Sequence, residues 1–122
     1  MIGYVTIGTN DMDKAKAYWS ALLAPMGAKI IMDMGRIALL GTEPGAPMLG
    51  ICTPYDEQPA HHGNGNMIAF AAASREQVDQ LYAKAIELGG SDEGEPGERG
   101  GAFYGGYFRD PDGNKAVFFA AG

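Results

Sequence analysis

One spacing governs this 122-residue chain. Tyr4-Val5-Thr6-Ile7 leads into a helix start at Asp11, and Met67-Ile68-Ala69-Phe70 leads into another at Ser74. Each landmark lies 63 positions from its counterpart. Trp19 falls opposite Tyr82, Leu23 opposite Ile86 and Gly27 opposite Gly90 at that same offset, with no gap. A strand, a cap, a helical face and a stop glycine thus repeat together. The period is longer than that of solenoid repeats, which need several units to bury a core. Two long units point to a duplicated supersecondary module.

Within each copy the local signals agree. Ile2 to Gly8 is β-branched and alternating, as a strand should be. Asp11 can cap a helix whose apolar positions, Ala15, Tyr18, Trp19, Leu22 and Leu23, recur at three-and-four spacing. Pro25 and Gly27 stop it. Short strands are predicted near Ala28–Met34, Arg36–Leu40 and Met48–Thr53, separated by Gly and Pro turns. Pro54 to Asn66 is polar and aperiodic, a connector. In the second copy Met67 to Ala72 reads as a strand. Ser74-Arg75-Glu76-Gln77 reads as a capping box, with Gln77 reaching back to the cap. Val78, Leu81, Tyr82, Ala85 and Ile86 form the helix's inner face, and Gly89-Gly90 end it. Ser91 to Gly101 predicts a weak strand plus a loop. Ala102–Arg109 and Lys115–Ala121 flank Asp110-Pro111-Asp112-Gly113-Asn114, where Pro and Gly suit a type I turn. Each half reads β-α-β-β-β. The predicted fold class is α+β: two tandem βαβββ modules forming a curled mixed sheet, with the helices outside. The expected organisation is one domain over 1–122, with module one about 1–54, a connector about 55–66 and module two about 67–122.

Composition excludes several functions. With 46 % apolar residues the chain can bury a core. A net charge of −6 argues against nucleic acid and acidic membranes as partners. No apolar run approaches the roughly 18 residues of a membrane helix. The single cysteine, Cys52, can form no internal disulfide, and the chain starts directly on a strand without a basic-then-apolar leader. Cytoplasm is the expected compartment.

The duplicated unit, closed by Tyr107-Phe108-Arg109-Asp110-Pro111-Asp112-Gly113-Asn114, resembles the vicinal-oxygen-chelate superfamily over essentially the whole chain. That group includes glyoxalase I, bleomycin-resistance proteins and extradiol dioxygenases. Asp13, the run Leu22 to Gly27, Gly63-Asn64-Gly65 and Ser74 to Asp79 are similar to a glyoxalase-like subgroup of unassigned function. Such a fold supports many activities and establishes none. The resemblance implies a homodimer and a metal bound in a cup by His, Gln or Glu from the first and last strand of each unit. The metal would act there as a Lewis acid. The first strands should then supply His or Gln near Tyr4 and Met67, and the last strands Glu near Ile51 and Val117. A phenol and a thioether are poor ligands for a hard divalent ion. Met48–Pro54 has no Asp, Glu or His, Lys115–Ala121 no carboxylate, and Ile2–Gly8 no His, Gln or carboxylate. No metal site and no cofactor are therefore expected.

The remaining polar residues have bland readings beside functional ones. His61-His62 could bind a metal or shuttle protons, or face solvent in the connector. Cys52 could be a nucleophile or a small buried hydrophobe. Arg36 and Arg109 could clamp a carboxylate; alternatively Arg109 ties down the acidic turn and Arg36 merely opens a strand. Glu93, Glu95 and Glu98 could serve acid–base chemistry or form a solvated face.

Alternation sends Tyr4 and Thr6 away from Val5 and Ile7, which suit packing under the helices. Pairing Arg109 with Asn114 across the last hairpin sets Val117 opposite Gly106 and Tyr104 opposite Phe119. A one-residue bulge would take Tyr104 off that face. The expected ligand-binding cup is lined by Tyr4, Thr6, Met67, Ala69, Tyr104, Val117 and Phe119: apolar walls with two or three hydroxyls. No catalytic residue is assigned. Three functions fit: a metal-free protein binding a small apolar or aromatic ligand; a lyase or isomerase using Tyr4 or Tyr104 as donor to an oxyanion; or a structural or regulatory dimer module with a filled cup.

Overall fold

A computed structural model describes residues 1–121. The chain divides into two compact units, Met1–His62 and the residues from Gly63 onward. Each is a four-stranded mixed sheet with one helix, the expected βαβββ module.

The first unit runs β1 (Tyr4–Gly8), α1 (Met12–Leu23), a single 3-10 turn (Ala24–Met26), β2 (Lys29–Asp33), β3 (Ile37–Gly41) and β4 (Met48–Cys52). The sheet order is β1-β4-β3-β2. β1 lies parallel to β4, and the other pairs are antiparallel. α1 starts where the sequence has its cap: Asp11 is extended and its carboxylate accepts the Lys14 N–H at 3.1 Å. The five predicted apolar positions, Ala15, Tyr18, Trp19, Leu22 and Leu23, are the buried ones. Full burial of side chains such as Trp19 and Leu22 contributes about 1.5–3 kcal/mol each. Asp33 pairs with Ala38 in the sheet and holds the Lys16 ammonium of α1 at 3.0 Å. That marks the Ala38 face as the helix side. It carries Ala38, Leu40, Leu49 and Ile51, all buried. Val5 and Ile7 lie on it too, but β1 is an edge strand and Val5 stays 38 % exposed.

The second unit repeats the order with β5 (Ile68–Ala71), α2 (Arg75–Glu87), β6 (Ser91–Glu98), β7 (Phe103–Arg109) and β8 (Lys115–Ala121), arranged β5-β8-β7-β6. Ser74 caps α2, accepting the Gln77 N–H at 3.1 Å. The Gln77 carbonyl reaches one residue further back than expected and accepts the Ala73 N–H at 2.7 Å. Val78, Leu81 and Ala85 are buried under α2. Phe118 stacks on Phe108 and packs against Phe70, with centroids 5.2 and 5.5 Å apart. Gly106 gives close packing here, because an added Cβ would lie 3.0 Å from Pro96 and 3.2 Å from the Tyr82 ring and would press both back. β6 occupies Ser91–Glu98 within the stretch expected to hold a weak strand and a loop, with register breaks around Gly94. As an edge strand it tolerates Pro96, which has no N–H to give a ladder.

The offset of 63 persists through both caps, and then slips. The helix-ending bonds of Gly27 and Ala28 recur at Gly89 and Gly90. The left-handed residue is therefore Gly89, φ 119°, where the strict repeat pointed to Gly90.

Candidate functional site

On the helix-free face of the first sheet stand Tyr4 and Thr6, both exposed, Tyr4 by 55 %. Their β4 partners are Met48 and Gly50. Gly50 lets the Thr6 methyl and the Leu39 side chain close over the strand; an added Cβ there would meet them at 3.0 and 3.2 Å. Cys52 shares this face and is half-buried. Alternation along β1 puts both hydroxyls on this face.

In the second unit Ala69 pairs with Val117, and Phe119 follows on the same face. Met67 immediately precedes β5 and is 45 % exposed. Tyr104 is a correction. Arg109 pairs with Lys115 rather than Asn114, so Val117 faces Tyr107 and Tyr104 faces Ala120. The cause is the turn: Asp110 and Asn114 belong to it, with the Asp110 N–H bonded to the Asn114 carbonyl at 2.9 Å. The Asp110 carboxylate accepts from the Asp112 N–H, the Asn114 N–H and the Asn114 amide. One residue of slip moves a side chain to the other face. Tyr104 consequently points toward α2. Its hydroxyl donates to Asp79 at 2.7 Å, and the Arg75 guanidinium lies 4.9 Å over its ring. The bond to Asp79, then burial and the Asp79 charge, push the Tyr104 phenol up. Its proton is committed inside the unit.

Val117 has 0 % exposure. The Phe103 ring and the Val117 methyl close over Gly105, where an added Cβ would meet them at 2.8 and 3.1 Å. Phe103 also stacks on Phe119, centroids 5.1 Å apart. Val117 is a packed residue, not an open wall.

These residues do not fit a divalent metal. Tyr4, Thr6, Met67 and Val117 offer no imidazole or carboxylate. Ile51 lies buried on the helix side; Gly50, the neighbour of Thr6, is the β4 residue on the open face, and it has no side chain. Among the described residues no group of three His, Cys, Asp or Glu is placed to hold an ion.

The other polar candidates resolve individually. Arg109 donates to Glu93 at 2.7 Å and to the Gly113 carbonyl at 2.9 Å, tying the turn to β6. That bond and the Arg109 charge hold the Glu93 carboxyl down. Glu98 pairs with Arg75 at 2.9 Å. Glu93 and Glu98 are thus committed to different structural partners. His61 and His62 are exposed in the connector. Arg36 donates to the Thr53 carbonyl at 3.0 Å and lies 5.4 Å over the Tyr55 ring. Sequence reasoning missed this pairing and the Arg75–Tyr104–Asp79 cluster. The second had a legible signal, since Arg75 and Asp79 are one helical turn apart.

Residues 1–118 match the family model described as Glyoxalase/Bleomycin resistance protein/Dioxygenase superfamily. No curated protein matches significantly. Among solved structures, a glyoxalase/bleomycin resistance protein from Albidiferax ferrireducens is 37 % identical, with a TM-score of 0.90 over 100 % of this chain and 99 % of that one. A hypothetical protein from S. aureus is 25 % identical, with a TM-score of 0.78 over 99 % and 93 %. A glyoxalase/bleomycin resistance protein/dioxygenase family enzyme from Burkholderia phytofirmans shares the fold at 21 % identity, with a TM-score of 0.80 over 98 % and 97 %. The repeated βαβββ module and the match over nearly its whole length place this chain in the Glyoxalase/Bleomycin resistance protein/Dioxygenase superfamily.

Proposed function

We propose that the protein binds a small apolar or aromatic molecule without a metal, as a cytoplasmic homodimer whose two modules act as one domain. The observation that carries this reading is the exposed pair Tyr4 and Thr6 on a helix-free sheet face whose other side chains are largely apolar, with Lys29 at its far edge. Few polar groups on apolar walls are the usual makeup of a small-molecule site. The name of the Albidiferax protein, which includes bleomycin resistance, supports the same class. On the second unit's own helix-free face Met67 and Ala69 are the accessible candidates, with Val117 buried beside them. Catalysis by Tyr104 is disfavoured, because its hydroxyl already donates to Asp79. The full burial of Val117 favours a second reading, a structural or regulatory module.

Native mass spectrometry of the purified protein tests the proposal. Wild type should retain a non-protein mass. Tyr4→Phe, which removes only a hydroxyl, should weaken its retention by about 0.5–1.5 kcal/mol, the net value of a neutral hydrogen bond. A protein that retains nothing and takes up no aromatic ligand on soaking contradicts binding and leaves the structural reading.

A further inference from the structure

The first unit holds a recess of about 850 Å³, lined among others by Thr9, Asn10, Arg36, Thr53, Tyr55 and Glu57. Its size falls within the range of ligand sites. We propose that it binds a small, singly charged organic carboxylate through Arg36, at a place apart from the Tyr4 face and independent of that reading.

The recess is held open by bonds within the unit. The Asn10 amide pairs in both directions with the Ala60 backbone, accepting its N–H at 2.7 Å and donating to its carbonyl at 3.1 Å. This fixes the far end of the connector against the loop between β1 and α1. The near end is a turn, with the Glu57 N–H bonded to the Pro54 carbonyl at 3.0 Å. Glu57 takes φ +62°, and among the described residues it is the one non-glycine with positive φ. Such strained positions persist where the surroundings over-determine them, and they cluster at binding sites. The Asp56 carboxylate, accepting the Gln58 N–H at 3.0 Å, braces the same turn.

Arg36 is equally preset. Its backbone carbonyl accepts the Thr53 N–H at 3.1 Å, and its Nη1 donates to the Thr53 carbonyl. Its guanidinium lies over the Tyr55 ring. Four ion pairs engage Lys16, Arg75 and Arg109, but none engages Arg36 among the described residues, in a chain with an excess of six acids. An arginine oriented by a carbonyl and a ring keeps donors for a planar carboxylate, which it recognises as a fork. Glu57 in the same recess repels a second negative charge. The ring and prolines suit a flat apolar body beside the carboxylate.

The test uses benzoate as the probe, titrated into the isotope-labelled full chain and read by amide shifts. Saturable shifts should appear at Thr9, Asn10, Tyr55 and Glu57, with a millimolar dissociation constant. Neutral benzamide should leave those amides unmoved. Arg36→Gln should weaken benzoate at least about tenfold, the loss of a charge-assisted hydrogen bond. Arg99, 5.5 Å over the Tyr107 ring, is an internal control whose neighbours should not respond. The proposal is overturned by equal benzoate affinity in Arg36→Gln, by equal response to benzamide, by matching shifts around Arg99, or by no saturable shift up to the solubility limit. If Arg36→Gln loses its native spectrum, the comparison of benzoate with benzamide on wild type decides alone.

Discussion

Two tyrosines of this chain carry opposite assignments because of where their hydroxyls end. Tyr4 presents its hydroxyl on an exposed strand, whereas Tyr104 spends its proton on Asp79. Tyr104→Phe should therefore leave ligand retention unchanged and cost at most about 0.5–1.5 kcal/mol of stability in chemical denaturation. Tyr4→Phe should do the reverse. Val117 is a different case. A tryptophan there overfills a packed site, and overpacking costs on the order of 1–3 kcal/mol. A lowered midpoint is expected for Val117→Trp, so lost binding in that variant would say nothing about a wall. Tyr82 offers a pH test. Burial, then its bond to Asp92 at 2.6 Å, then the charges of Asp92 and Glu95 push its phenol up to about 12. The folded value is raised above the ordinary 10.0, so the stabilisation is complete below pH 10 and lost as pH rises through about 12. From neutral pH upward, the stability gap between wild type and Tyr82→Phe should stay level to pH 10 and shrink above it. A gap that already shrinks between neutral pH and about pH 9 contradicts the Tyr82–Asp92 assignment. On the acid side the Tyr82 bond holds the Asp92 carboxyl down, so its contribution fades as pH falls below the ordinary carboxylate range.

The elements were legible in proportion to how local their causes are. Asp11 and Ser74 cap helices through bonds to residues three positions on, and both starts stand in the sequence. The apolar stripe of α1 was fully readable; in α2 Val78, Leu81 and Ala85 are buried as expected, whereas Tyr82 and Ile86 are only half-buried. What escaped was register. The last hairpin shifts because the Asp110 side chain satisfies three donors of its own turn, which consumes one more residue than the strand pattern shows. That single residue decided the face of Tyr104. After the helices the repeat follows the left-handed glycines Gly27 and Gly89 rather than the offset of 63. The recess at Arg36 was illegible, since it depends on a 50-residue closure by Asn10 and Ala60. Ser74→Ala should lower stability by about 1 kcal/mol, the usual value of an N-cap, with loss of helical signal at α2 on partial denaturation. No change within error would show that the Gln77–Ala73 bond alone suffices.

At the scale of the molecule, family membership sets the architecture and the side chains set the chemistry. β1, β2, β5 and β6 are edge strands, and Ile31, Met32 and Met34 are exposed on or beside β2. Unpaired edges and apolar surface invite a second copy. Light scattering at micromolar concentration should give twice 12.8 kDa, and a monomer mass would refute the dimer. No described helix is long and apolar enough to cross a membrane. The central claim is that the fold has kept its sheets and lost its metal ligands. Elemental analysis joined to calorimetric titration with zinc, nickel, manganese and iron(II) tests it most directly. The account predicts no stoichiometric metal in purified protein, no binding heat, and a melting temperature that chelators leave unchanged. One equivalent of a divalent ion per chain, with a chelator-sensitive melting temperature, would contradict it.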